Sequence, residues 1–164
     1  MTDMKLKFSA TGFAQARRDF QDMRERTQDL RPAWDALLSW WADRNATHFR
    51  NRGRRWRTPW KQLAPSTLSE KLRLGYPPDP LVRTGELRHS LTVRPLGIER
   101  LRPHELEAGT ATRYAHFHQS GTRRMPRRQL INARAVQAEG KSSTAVINWI
   151  VHGKRSTRNS SEDQ

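Results

Sequence analysis

The stretches LRHSLTVRPL, residues 87–96, and HELEAGTATRY, residues 104–114, decide between a wholly helical chain and a mixed one. In both, apolar and polar residues alternate in part, and alternation is the mark of a half-buried strand. The spacing predicts two antiparallel strands with Leu91, Val93, Leu106 and Ala108 facing inward. Gly97 and Pro103 bound the link between them, and Gly109 marks a turn or bulge ahead of Tyr114.

Upstream the period is that of a helix. Phe13, Ala16, Phe20 and Met23 share one face, behind Ser9 or Thr11 as N-cap, and the opposite face is charged. After the polar break Thr27-Gln28-Asp29, Pro32 stands where a first helical residue would, and Trp34, Leu37, Leu38, Trp41, Asn45 and Phe49 continue a stripe. Two helices are predicted, over about 12–25 and 32–49. The run RNRGRRWRTPWK, residues 50–61, breaks the period and reads as a loop with six basic residues. A short helix over about 65–73 follows, opened by Pro65 or Ser66 and ended by Gly75, and GYPPDP at 75–80 is a rigid turn. A last helix is predicted over 142–152, capped by Ser142 or Ser143, with Ala145, Val146, Trp149 and Ile150 on one face. These elements add up to an α+β fold: two amphipathic N-terminal helices packed on a small, mainly antiparallel sheet, with a short C-terminal helix.

A chain of 164 residues fits one domain, here over residues 1–155, with a helical arm over about 11–50 and an α+β core over about 56–130. Residues 156–164 form a polar tail whose composition predicts disorder. Lys and Arg number 31 against 16 Asp and Glu, a net +15 carried mostly by Arg, which draws the protein to nucleic acid or to an acidic partner surface. The absence of cysteine excludes disulfides, thiolate metal sites and cysteine nucleophiles, and fits assembly in a reducing cytoplasm. No apolar run approaches the ~20 residues that span a bilayer, and MTDMKLKFSA lacks the apolar core of a secretory signal, so no membrane partner and no export by that route are expected.

Three spaced pieces stand out: WKQLAPST with Trp60 and Leu63; PLVRTGELRHS with Thr84, Gly85, Leu87 and Ser90; and YAHFHQSGTRRMPRR with Tyr114, Ala115, His118, Gly121, Pro126 and Arg128. In order and spacing they resemble the virion morphogenesis and tail-completion proteins of tailed bacteriophages, the head-tail neck family, over roughly Phe49 to Leu130. Gln129 stands where that pattern tends to have proline, and the likeness weakens beyond about 130. The resemblance implies a non-enzymatic structural protein without cofactors, a homo-oligomeric ring of six copies joining the DNA-filled head to the tail. Its partners would be itself, the head-closure or connector protein, the tail-terminator or tail-tube protein, and genomic DNA in the lumen. Its place would be the virion, and the host cytoplasm during assembly. It also implies that Trp60 is a buried anchor. A ring would use apolar surface exposed on the arm, which carries Trp34, Trp40 and Trp41.

Two basic clusters are candidates for facing DNA or an acidic neighbouring subunit: Arg50, Arg52, Arg54, Arg55 and Arg57, and Arg123, Arg124, Arg127 and Arg128, the latter flanking a basic loop between Gly121 and Pro126. The first cluster holds no carboxylate to pair with internally, and with Trp56 and Trp60 it has the ingredients of a nucleic-acid-binding module: cations for phosphates, aromatic faces for bases. His116 and His118 on a strand would share a face at a spacing a metal could use, but the resembled pattern implies no metal there. Glu105 and Glu107 share a strand face without the further ligands a two-metal nuclease needs. Thr84-Gly85 reads as a turn whose Thr hydroxyl caps a following amide, and Ser90 beside His89 on a strand is no nucleophile-base pair because neighbours there point apart.

Overall fold

The structure, a computed structural model, describes residues 12–153; the side chains of Ala135 and Ala138 are outside that description, as are the expected caps Ser9 and Thr11 and the polar tail 156–164. In chain order the elements are α1 (Phe13–Gln28), α2 (Arg31–Arg50), a 3₁₀ turn (Arg54–Trp56), α3 (Pro65–Arg73), α4 (Glu86–Thr92), β1 (Ile98–Arg102), β2 (Glu105–Gly109), α5 (Ala115–Ser120), α6 (Ala133–Ala138) and α7 (Lys141–His152). Helices plus a two-stranded antiparallel sheet make the fold α+β. No described helix is long and apolar enough to cross a membrane.

The break between α1 and α2 is held by Asp29, whose carboxylate accepts from the backbone N–H of Arg31 at 3.0 Å and from its guanidinium at 2.6 Å. That pairing holds the Asp29 carboxyl down to about 2, below its ordinary value. Pro32 sits in the first turn of α2, where its missing N–H costs nothing. α2 is the central element and packs against α4, α7 and β1. Its Leu38, Trp41, Ala42 and Phe49 join Trp60, Leu87, Leu91, Leu96, Ala115 and Leu130 in one core.

α1 behaves differently. It packs chiefly against α7 rather than on the sheet, and none of its residues is buried. Its corner with α2 is hooked to α7 by the Trp149 indole, which donates to the carbonyls of Arg26 and Asp29, and by Arg26, which donates to the carbonyl of Ile150. The apolar stripe read from the sequence is present but faces solvent: Phe13 is 74% and Phe20 72% exposed. The three tryptophans expected to supply the exposed surface are instead half-buried (Trp34, Trp40) or buried (Trp41).

The sheet corrects the strand reading. Residues 86–92 are helix α4, so Leu91 faces the core from a helix, while Val93 caps its C-terminus, exposed. Leu87 and Leu91 are spaced for one helical face as well as for one strand face, and Gly85, at φ 87°, starts the helix. β1 lies further on, in IERLR, and the link to β2 is the tight turn Pro103-His104; Gly97 precedes β1 instead of bounding that link. Within the hairpin, Leu101 pairs with Leu106, and Ala108 with Glu99, on the inward side. Arg100 meets Glu107 at 2.9 Å and Arg102 meets Glu105 at 2.7 Å on the outward side.

Of the remaining elements α3 and α7 lie where expected, while α5 and α6 are helices that the sequence reading did not contain. α3 spans 65–73 behind Pro65, and Gly75 at φ 73° follows it. The Lys71 ammonium donates to the carbonyls of Asp79 and Val82 at 2.7 and 2.6 Å, fastening the proline-rich turn to α3. α7 opens from Gly140 at φ 61°, so Ser142 and Ser143 are not its caps; Ala145 is buried, with Val146, Trp149 and Ile150 half-buried beside it.

Candidate functional site

The arginine run is a folded turn, built on the end of α2. His48 and Phe49 are buried in its last turn, and the Trp60 indole meets both rings edge-on at 5.2 Å. The Gln129 carbonyl accepts from the Trp60 indole N–H at 2.9 Å and from His48 Nε2 at 2.9 Å. His48 is therefore the Nε2–H tautomer, and burial pushes its pKa down, which keeps it neutral. Backbone bonds close the turn: Gly53 N–H to the His48 carbonyl, Thr58 N–H to that of Gly53, Trp60 N–H to that of Arg52. Gly53, at φ 87°, is required twice over, because a Cβ there would run into the Thr58 carbonyl oxygen and the Trp60 indole. Trp56 is 4% and Trp60 6% exposed, so neither offers a face to a base. The expectation that Trp60 is a buried anchor holds, and the aromatic half of a single-strand binding reading does not.

The five loop arginines divide into two groups. Arg52 donates two bonds to Asp79, the shorter 2.7 Å, and Arg55 meets Glu139 at 3.3 Å, where Arg44 also reaches the same carboxylate. The loop does pair, with carboxylates far along the chain. Arg50, Arg54 and Arg57 are exposed and have no ion pair among the described residues. Arg50, Asn51, Arg52, Arg54, Pro59, Gln62, Asp79 and the small exposed edge of Trp60 line an open cleft of about 400 Å³. A broader groove of about 1020 Å³ adjoins it, sharing Arg50 and Asp79 and running along α4 past Arg88 and His89.

The second basic cluster does not stay together. Arg123 and Arg124 are exposed at a tip closed by the Thr122–Met125 pairing, and Arg127 is exposed with Nε donating to the Gln119 carbonyl. Arg128 is the correction. It is 6% exposed, and its guanidinium donates to the carbonyls of Lys61 and Gln62 at 3.0 and 3.1 Å, so in this chain it is buried and ties two segments together. Desolvation lowers its pKa. Gly121, at φ 79°, lets the tip return against the Arg127 backbone, and Pro126 is half-buried there.

The three spaced pieces converge. Trp60 and Arg128 join the first to the third. Tyr114 joins the third to the second, its hydroxyl lying by the Leu87 backbone and Glu86, with burial and that carboxylate raising its pKa. Ser90 shares a 2.7 Å hydrogen bond with Thr110 and donates to the Leu87 carbonyl, on α4 and not on a strand. Thr84 Oγ1 accepts from the Glu86 N–H at 3.5 Å, the expected turn, and Leu63 is half-buried. Gln119 was missed. Its amide oxygen accepts from the N–H groups of Leu130 and Ile131, and its Nε2 donates to the Ile131 carbonyl, which clamps the return segment. In the sequence it stands as the Gln of the resembled pattern YAxxHQxG.

His116 and His118 lie on α5, not on a strand, so they do not share a face. His116 is exposed against the Phe117 ring at 3.8 Å, while His118 is half-buried with its pKa pushed down by desolvation and by Arg128. Glu105 and Glu107 do share a face, each tied to its cross-strand arginine. Among the described residues no group of three or more His, Asp or Glu side chains could hold a metal ion. Compared with family models, with curated proteins and with solved structures, the chain matches none.

Proposed function

We propose that this chain is a structural component of a tailed-bacteriophage head-tail junction, a neck or tail-completion protein that closes into a homo-oligomeric ring and catalyses nothing. The spacing of the three sequence pieces supports the family, and their meeting on a single core is what a shared fold signature requires. The observation that carries ring formation is α1, which presents Phe13 and Phe20 to solvent along a helix that buries no residue in its own chain. A helix of that length runs about 24 Å, and two aromatic side chains bury about 150–250 Å² each, roughly half of the ~800 Å² per partner of a stable interface. Ile147 and Val151 are also exposed, on α7, the helix α1 packs against.

The occupant of this face is a second copy of the chain. Repeated around an axis, one such head-to-tail contact closes a ring without a second interface. The connector and tail-tube side of the junction would then meet the rims of the ring, at the head-tail joint of the virion. Native mass spectrometry of the purified protein, alone and with neck partners, tests this, with six copies expected. Phe20→Asp should abolish the oligomer and leave the monomer folded. A protein that is monomeric alone and present as one copy per assembled virion refutes the ring.

A further inference from the structure

We infer that the cleft between the end of α2 and the 3₁₀ turn binds the backbone phosphates of a double-stranded nucleic acid, with Arg50 and Arg54 making the contacts and Arg52 and Arg55 holding the loop in shape. The division of the loop arginines carries this. Arg52 and Arg55 are committed to Asp79 and Glu139, whereas Arg50 and Arg54 line the same cleft with no carboxylate of their own among the described residues. One Asp against three Arg leaves the cleft lining at a net two positive charges. Their scaffold is rigid: three backbone bonds span the turn, and the buried Trp56 and Trp60 lie beneath it. A planar guanidinium on a fixed backbone suits the two oxygens of a phosphodiester.

The backbone conformation points the same way. Arg52, which lines the cleft, stands at φ 48°, a left-handed position where glycine or asparagine would be relaxed. Side chains held at such positions cluster where a site is preorganised. Duplex is favoured over single strand because single-strand grooves stack bases on aromatic faces, and both tryptophans here are buried. Binding is then to phosphates alone, independent of sequence.

The test is fluorescence anisotropy of a labelled random-sequence duplex titrated with the full chain between about 0.05 and 0.3 M salt. Each phosphate contact contributes about 0.9 to the slope of log affinity against log salt, so Arg50→Gln with Arg54→Gln should lower the slope by about 1.8 and the affinity at 0.1 M salt by roughly 60-fold. The melting curve should not move, and Arg50→Lys with Arg54→Lys should keep most of the slope. Arg17→Gln with Arg113→Gln, two exposed arginines outside the cleft, should change the slope by less than half as much. Equal losses from both Gln pairs would mean diffuse charge and overturn the assignment. So would tighter binding of a single strand of the same length. A cleft pair that leaves the slope intact but lowers the native mass of the assembly would show that the cleft holds a neighbour's carboxylates instead. A normal slope from a protein that never oligomerises would refute the ring and leave the phosphate site standing.

Discussion

Replacing Trp60 by Ala removes the side chain on which the first and third sequence pieces meet. The indole is 6% exposed, packs edge-on against His48 and Phe49, and donates to the Gln129 carbonyl at 2.9 Å. Truncating a buried Trp to Ala costs about 3–5 kcal/mol, cavity included. The Gln129 carbonyl keeps His48 as a donor, so it is not orphaned, and the lost hydrogen bond accounts for only about 0.5–1.5 kcal/mol of that. Against a total stability of about 5–15 kcal/mol the loss is about a fifth or more. At about 2–4 °C per kcal/mol for a domain near this size, the melting temperature should fall by roughly 6–20 °C. Trp60→Phe keeps the ring and loses the N–H, so it should fall by less than half as much. Far-ultraviolet circular dichroism suits the assay, since the chain holds 6 Trp and fluorescence would mix their signals. A shift for Trp60→Ala below about 3 °C would refute the buried-anchor reasoning, because surface substitutions stay within about 0.5 kcal/mol.

Two further outcomes follow from the same geometry. Gly53→Ala should cost more in urea denaturation than Gly85→Ala: both sit at φ 87°, which costs an Ala about 1–2 kcal/mol, but only at Gly53 would the Cβ also strike the Thr58 carbonyl and the Trp60 indole. Equal losses would contradict the closed turn. Arg94, which bonds Glu99 at 2.6 Å, holds the Glu99 carboxyl below its ordinary value, so this pair stabilises the fold above the unfolded carboxyl's pKa and that contribution is lost as pH falls through the folded one. Glu99→Gln should therefore lower the melting temperature at pH 7 and flatten its decline below about pH 5; an unchanged acid limb would assign that decline to other carboxylates.

Local pattern was enough wherever one period fitted and its end carried a backbone signal. The stripe from Trp34 to Phe49 with Pro32 at its head located α2, and Pro65 with Gly75 located α3, because the helical repeat, a missing N–H and a left-handed glycine act within a few residues. The alternation of Leu106 and Ala108 placed β2 for the same reason. Pattern failed where two periods fitted: Leu87 and Leu91 satisfy a strand and a helix equally, and it is the burial of both under α2, with the turn at Gly85, that makes residues 86–92 helical. For α1 the pattern was right about the stripe and silent about what covers it, since amphipathicity marks a face without naming its neighbour.

The candidate site divides along the same line. Composition and order alone determined that the chain is strongly basic, lacks cysteine chemistry, and concentrates arginine between residues 50 and 57. Which of those arginines are free is a tertiary matter. Asp79 lies 27 residues from Arg52 and Glu139 lies 84 residues from Arg55, so no local reading could pair them, and Arg128, by pattern one more surface cation, is closed in by the Lys61 and Gln62 carbonyls. Charge is additive and can be counted along a chain. Ion pairing and desolvation depend on separations of a few ångströms, which exist only once the core of α2, α4 and the return segment at Leu130 has brought distant residues together.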